Sequence, residues 1–204
     1  MNGRISRFNR YLLIVLIGLY LLSIGRLAFA GWSADHHRNL RMYAENTLIF
    51  SIPLITLYGS IFVLIRTWWE HRLMGEISPR SAKILQWSSR IGAILAVFLG
   101  SLLSLEAFSE VGTIQEKLIG FALLNLPGLI MITLSLLAWR WRVVGFVAYL
   151  LAGLAWLGFF VVPGGFWALE NLLLISAPLL LVSALFFADW RWHPRQPSPS
   201  LRVA

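Results

Sequence analysis

The chain has 204 residues, of which 58% are hydrophobic and 13% charged, with a formal net charge of +8 and no cysteine. A soluble domain carries about 25% charged residues, so this composition points to lipid rather than water as the surrounding solvent. The missing cysteine excludes disulfide redox chemistry, thiolate metal sites and a cysteine nucleophile. The positive charge does not point to nucleic acid, because the basic residues flank apolar runs; their counterpart is the anionic leaflet of a bilayer.

A hydrocarbon core about 30 Å thick needs roughly 20 mostly apolar residues per helix. Six continuous runs come close, at residues 11–30, 48–65, 91–108, 118–138, 143–162 and 169–188. They do not alternate apolar with polar, so helices are implied rather than barrel strands. The expected fold is an all-α, polytopic membrane protein with six transmembrane helices, an N-terminal hairpin followed by a four-helix bundle.

The first run follows "MNGRISRFNR" and ends at "AFA" before Gly31, a pattern shared with secretory signal peptides. Arg26 stands between the apolar core and that cleavage-like site, which favours an uncleaved anchor. Cleavage would leave five spans. Residues 1–72 form the expected hairpin, with an outer loop at 31–46 that carries Asp35, His36 and His37. Those three side chains are chemically suited to zinc or copper, but no further ligand stands at a recognisable spacing, so a bare surface loop is expected. "GEISPRSAKILQW" then offers Ser78 as N-cap and Pro79 as the first residue of a helix that runs on into the third span. The four-helix unit covers residues 79–192, and the Pro- and Ser-rich tail at 193–204 is expected to be disordered.

Orientation follows from the basic residues. With the N-terminus inside, Arg4, Arg7, Arg10, Arg66, Arg72, Arg80, Lys83, Arg90, Arg140, Arg142, Arg191, Arg195 and Arg202 face the cytoplasm, against Arg26, Arg38, Arg41 and Lys117 outside, or 13 to 4. The positive-inside rule therefore places both termini in the cytoplasm, in a cell (inner or plasma) membrane. Two Trp-Arg-Trp stretches, Trp139-Arg140-Trp141 and Trp190-Arg191-Trp192, fall on that same face. Indole rings favour the headgroup level and arginine snorkels to it, so both stretches are read as interface anchors.

Within the four-helix unit, Pro127 precedes Trp139 by the same interval as Pro178 precedes Trp190, and Arg90 with Gly92 and Gly100 is echoed by Arg142 with Gly145 and Gly153. Two parallel hairpins related by duplication would produce this echo. Gly145, Ala148, Ala152 and Ala155 form a stripe of small residues on one helix face, where another helix can approach closely.

"SRIGAILAVFLGSLLSLEAF", "LLNLPGLIMITLSLLAWRW" and "LLLISAPLLLVSALFFADW" resemble a family of small, uncharacterised prokaryotic four-helix integral membrane proteins. In that family an acidic residue ends the first helix, a proline interrupts the second, and Ala-Trp-Arg-Trp follows it; the matching residues are Glu106, Pro127 and Ala138 to Trp141. The resemblance covers about residues 87–192 and implies a fold, with no assigned activity.

Polar groups inside spans are costly and mark candidate sites. Glu106 and Glu170 stand near the outer ends of the third and sixth spans, and Asn125 lies nearer mid-membrane beside Pro127. The two carboxylates could share a proton or cation, or each could simply reach headgroups or a helix N-terminus. Asn125 is expected to bond to a neighbouring helix at a packed kink. No phosphate-cradling loop, nucleophile elbow or zincin motif occurs. The expected function is therefore non-enzymatic, requires no cofactor, metal or nucleic acid, and consists of binding a partner or joining a membrane assembly. The alternative is a small transporter or channel for a cation, proton or small solute, built on Glu106, Asn125 and Glu170.

Overall fold

A computed structural model describes residues 2–34, 40–104, 113–162, 169 and 172–192, and is helical throughout apart from short connections. Among the described residues six α-helices follow one another: α1 (Asn2–Ala34), α2 (Leu40–Met74), α3 (Pro79–Ser104), α4 (Ile114–Arg140), α5 (Arg142–Trp156) and α6 (Ala177–Trp192). A π-helical turn at Leu157–Val161 continues α5, and another at Leu172–Ser176 leads into α6.

Among the described residues, four segments are long and apolar enough to cross a membrane: Arg7–Phe29, Thr47–Met74, Arg142–Phe159 and Leu172–Trp192. These suggest a membrane location. The third and fourth expected spans do not meet the same measure. Helix α3 opens on Arg80, Lys83, Gln86 and Arg90, and the far end of its apolar run passes outside the described residues. In α4 the apolar stretch is the shorter Gly128–Arg140. The expected outer loop at 31–46 is also largely helical, since α1 reaches Ala34 and α2 begins at Leu40. Leu40, Arg41, Met42, Ala44 and Glu45 are good helix formers, and polarity alone does not end a helix.

Two local devices set the turn from α2 to α3. Gly75 has φ 77°, the left-handed conformation that ends a helix without a Cβ clash, and its N–H donates to the His71 carbonyl at 2.8 Å. Ser78 then caps α3: its Oγ accepts from the Ser81 N–H at 3.3 Å, and Pro79 occupies the first helical position. At the start of α4, Thr113 and Glu116 form a reciprocal cap, with the Thr113 N–H donating to Glu116 Oε2 at 2.8 Å. That bond holds the exposed Glu116 carboxyl below its ordinary value, so the cap is intact at neutral pH and is lost as pH falls through the lowered value.

Helix α6 is the central element and packs on α5, α3 and α2, while α1 lies against α2 and α4 against α3 and α5. One buried cluster joins Val63, Ile77, Ala82, Leu85, Leu185 and Ala188; a second joins Ala93, Ala138, Tyr149, Val182 and Phe186. Three ring contacts bring one set of helix ends together: Phe8 stacks on Trp69 at 4.8 Å, His71 on Trp192 at 5.5 Å, and the Arg90 guanidinium lies 5.6 Å from the Trp139 ring centre. The start of α1, the α2–α3 turn and the ends of α4 and α6 therefore share one end of the bundle.

The α5–α6 contact depends on missing side chains. A Cβ added at Gly145 would lie 2.8 Å from Ala138 Cβ and from the Phe186 ring, and one at Gly153 would lie 3.2 Å from the Leu180 backbone nitrogen. Gly92, the echo of Gly145, meets α6 in the same way, at 2.7 Å from Val182 Cγ2. Gly145→Val is therefore expected to lower unfolding stability in detergent by about 1–3 kcal/mol, through overpacking. Gly18→Val, at a position where an added Cβ meets nothing within 4 Å, should cost far less. Equal losses would show that the close approach is not what holds α5 on α6.

Candidate functional site: an apolar cavity beside a buried tyrosine

Tyr149 stands on the α5 face that carries Gly145 and Gly153, and it is fully buried. Its ring stacks on Phe186 of α6 with centres 5.9 Å apart. A phenol taken out of water needs partners for its hydroxyl. Tyr149 Oη donates to the Ala93 carbonyl of α3 at 3.1 Å and lies 2.7 Å from Ser135 Oγ of α4. Ser135 Oγ in turn lies 2.6 Å from the Met131 carbonyl. Two hydroxyl protons thus serve three contacts, so one of them is shared, and either hydroxyl can be the donor between Ser135 and Tyr149. One side chain ties α3, α4 and α5 together and stacks on α6.

Beyond this layer, away from the Trp-Arg-Trp end, the helices enclose a half-open cavity of about 400 Å³. Its walls include Pro53 and Thr56 of α2, Ala96 of α3, Gly128 and Met131 of α4, Ala152 and Ala155 of α5, and Leu179 of α6. Small residues on α3, α4 and α5 make the room. Both π-helical turns reach it, through Phe159 and through Leu174 and Ile175. Thr56 brings a hydroxyl, but this donates to the Ile52 carbonyl of its own helix at 3.0 Å. An apolar cavity of this kind does not hold water well, and left empty it forfeits dispersion contacts. It suits an apolar guest.

A protein-family model for a domain of unknown function, DUF7670, matches residues 78–198. The chain belongs to the DUF7670 family. The matched region encloses the stretch at 87–192 on which the resemblance rests, and its description assigns no activity. No curated protein and no solved structure matches the chain. The DUF7670 region supplies every cavity wall except Pro53 and Thr56, which come from α2 outside it.

Glu106 and Glu170 lie outside the described residues, as do Asp35, His36 and His37. Asn125 is half-buried, and its Nδ2 donates to the Phe121 carbonyl at 2.9 Å, within its own helix rather than to a neighbour. Helix α4 continues through Pro127, immediately before the cavity wall at Gly128. Trp139, Trp141 and Trp190 are exposed at the bundle end, as are Arg140 and Arg191, whereas Trp192 packs against the first buried cluster. The small-residue stripe divides: Gly145 packs internally against α4 and α6, while Ala152 and Ala155 face the cavity.

Other buried polar groups in the structure were not expected from sequence. In the DUF7670 region, Arg142 Nε lies 2.7 Å from Asp189 Oδ2, joining the start of α5 to the end of α6. Just outside it, the buried Glu70 accepts from the Ser78 N–H at 3.0 Å and from the Ser81 hydroxyl, locking the α2–α3 turn. Each acid sits in the last turns of an apolar helix beside tryptophans, where a charge reads as an interface residue. The signal that could have separated them is helical phase. Asp189 follows Val182, Leu185 and Phe186 on the buried face of α6.

Asp189 is 2% exposed and Arg142 is 27% exposed, so the two halves of that pair should not be equivalent. Arg142→Met leaves a buried carboxylate without its guanidinium and is expected to cost about 3 kcal/mol, whereas Asp189→Leu leaves an arginine that can still reach headgroups and should cost less. Chemical denaturation in mild detergent measures the difference, and the reverse order would contradict it. Tyr149→Phe, which keeps the ring stack, is expected to cost about 1 kcal/mol, against about 3–5 kcal/mol for Tyr149→Ala.

Proposed function

We propose that this protein is a multi-pass integral protein of the cell membrane, with six spans and both termini cytoplasmic, that binds a partner protein within the membrane plane and catalyses no reaction. The cavity carries this reading. Its walls are apolar and half-open, and Gly128, Ala152 and Ala155 let a partner helix approach closely. The occupant best suited to it is a transmembrane helix of another protein, inserting one or two bulky apolar side chains. A site for a cation, proton or polar solute would need polar groups aimed into the space, and the lining favours the apolar guest. The orientation is supported by the 13-to-4 distribution of basic residues together with the gathering of helix ends that carry Trp69, Trp139 and Trp192.

Affinity purification of the full chain in mild detergent, with identification of retained proteins and lipids, tests the reading. Wild type is expected to retain a membrane protein that Ala152→Phe, which fills the cavity, loses while keeping its helicity and elution volume. Identical retained proteins from both, or lipids alone from wild type, would contradict a partner helix in the cavity. For topology, a reporter active only outside the cytoplasm, fused after Trp192, should be silent; activity there would overturn the six-span arrangement.

A further inference from the structure

We propose a second binding site, separate from the cavity, that takes one anionic phospholipid between α3 and α4 at the Trp-Arg-Trp end. The headgroup position is defined by Arg90. Its guanidinium lies 5.7 Å from the Trp87 ring centre on its own helix and 5.6 Å from the Trp139 ring centre on α4. The planar cation is thus held by two indole rings before any ligand arrives. Among the described residues no carboxylate is paired with it, in contrast to Arg142, whose guanidinium is committed to Asp189. A half-buried arginine whose N–H groups have no acid to meet is a fitted receptor for a phosphate, which it can bind through two parallel hydrogen bonds.

The chain position is defined by a groove that begins at the same place. One turn beyond Arg90, a cleft of about 300 Å³ opens between the two helices, lined by Ile94, Val97 and Phe98 of α3 and by Ile132, Leu136 and Trp139 of α4. It follows α4 for about 10 Å, enough for the first several methylenes of an acyl chain. Ser135 also borders it, but its hydroxyl is bonded to the Met131 carbonyl and to Tyr149, so the cleft presents hydrocarbon. Trp139 belongs to both parts: its ring meets the guanidinium and also closes the upper end of the groove. A cation at the membrane surface that leads directly into a hydrocarbon slot matches one ligand chemistry, a phosphate ester carrying fatty chains. The uncompensated charge selects a lipid of net negative charge over a zwitterionic one, and the exposed Arg140 beside Trp139 adds to that preference.

A simple snorkelling arginine would make neither part matter, and the experiment separates the two. Full-length protein in mild detergent is titrated with phosphatidylglycerol or phosphatidylcholine, and bound lipid is counted by native mass spectrometry. Wild type is expected to hold one phosphatidylglycerol at least tenfold more tightly than phosphatidylcholine. Arg90→Gln should weaken phosphatidylglycerol at least tenfold, and Arg90→Lys should fall between, since ammonium lacks the planar fork. Leu136→Trp fills the groove from a side chain that is 58% exposed, so it should reduce binding without disturbing the core. If Arg90→Gln fails to fold, Leu136→Trp decides alone. Retention of phosphatidylglycerol at wild-type strength by the folded Arg90→Gln or by Leu136→Trp would overturn the proposal. So would equal binding of phosphatidylcholine, or displacement by inorganic phosphate at the lipid's own concentration, which would mark a free-anion site.

Discussion

Helices α5 and α6 can meet closely only because Gly145 and Gly153 have no side chains, and the rest of the bundle is arranged around that contact. In lipid there is no hydrophobic drive to bring apolar helices together, so association rests on fitted packing and interhelical hydrogen bonds. The glycine face satisfies the first requirement. Tyr149, one turn from each glycine, satisfies the second by reaching α3 and α4 while its ring lies on Phe186. Separating α5 from α6 would remove the stack and loosen the network together, which couples four helices through one residue. Helix α6 gains its central position from this arrangement, with α2 and α3 completing its circumference.

Polarity changes along the bundle in a way that the packing explains. At the Trp-Arg-Trp end, Glu70 and Asp189 are buried with their partners, the first in the α2–α3 turn and the second against Arg142. These contacts fix helix ends, and the partners of each buried carboxylate offset its desolvation. Mid-bundle, the buried hydroxyls of Ser135, Tyr149 and Ser183 are each bonded to a backbone carbonyl. Beyond them comes the apolar cavity. A bundle that is stitched at one end and holds an apolar, half-open cavity beyond its middle is suited to receiving a guest from the side without unfolding.

Much of the fold was legible because lipid imposes a simple rule: continuous apolar runs become helices. The runs at 11–30 and 48–65 lie within described helices, the run at 143–162 follows α5 and its π-turn extension as far as Val161, and Ser78 with Pro79 marks the start of α3. What composition could not show was which apolar residues face protein and which face lipid, since both environments favour the same side chains. The stripe from Gly145 to Ala155 was visible as small residues, but only tertiary packing divides it between Gly145 in a helix contact and Ala152 and Ala155 in a cavity wall. Tyr149 gives little signal for a related reason: one hydroxyl in a long apolar run barely alters its character. The cap formed by Thr113 and Glu116 is legible as a short Thr-x-x-Glu motif ahead of an apolar run. A polar group inside an apolar run marks Asn125, which bonds within its own helix, while the acids buried among the described residues, Glu70 and Asp189, stand in the last turns beside tryptophans.

The central claim is that the space enclosed by α2 to α6 is a hydrocarbon-like cavity within a membrane, and the absence of native cysteine makes it directly measurable. Single cysteines at Ala152, in the cavity, and at Arg80, in the first turn of α3, can be compared in intact membranes. A charged, water-soluble maleimide should label the cysteine at position 80 once the cytoplasmic face is open and leave the one at 152 unmodified until the protein is denatured, because maleimide reacts with the thiolate and an apolar cavity keeps the thiol protonated. Labelling of position 152 by the charged reagent at a rate close to that of position 80 would show a water-filled pathway, and would contradict the account.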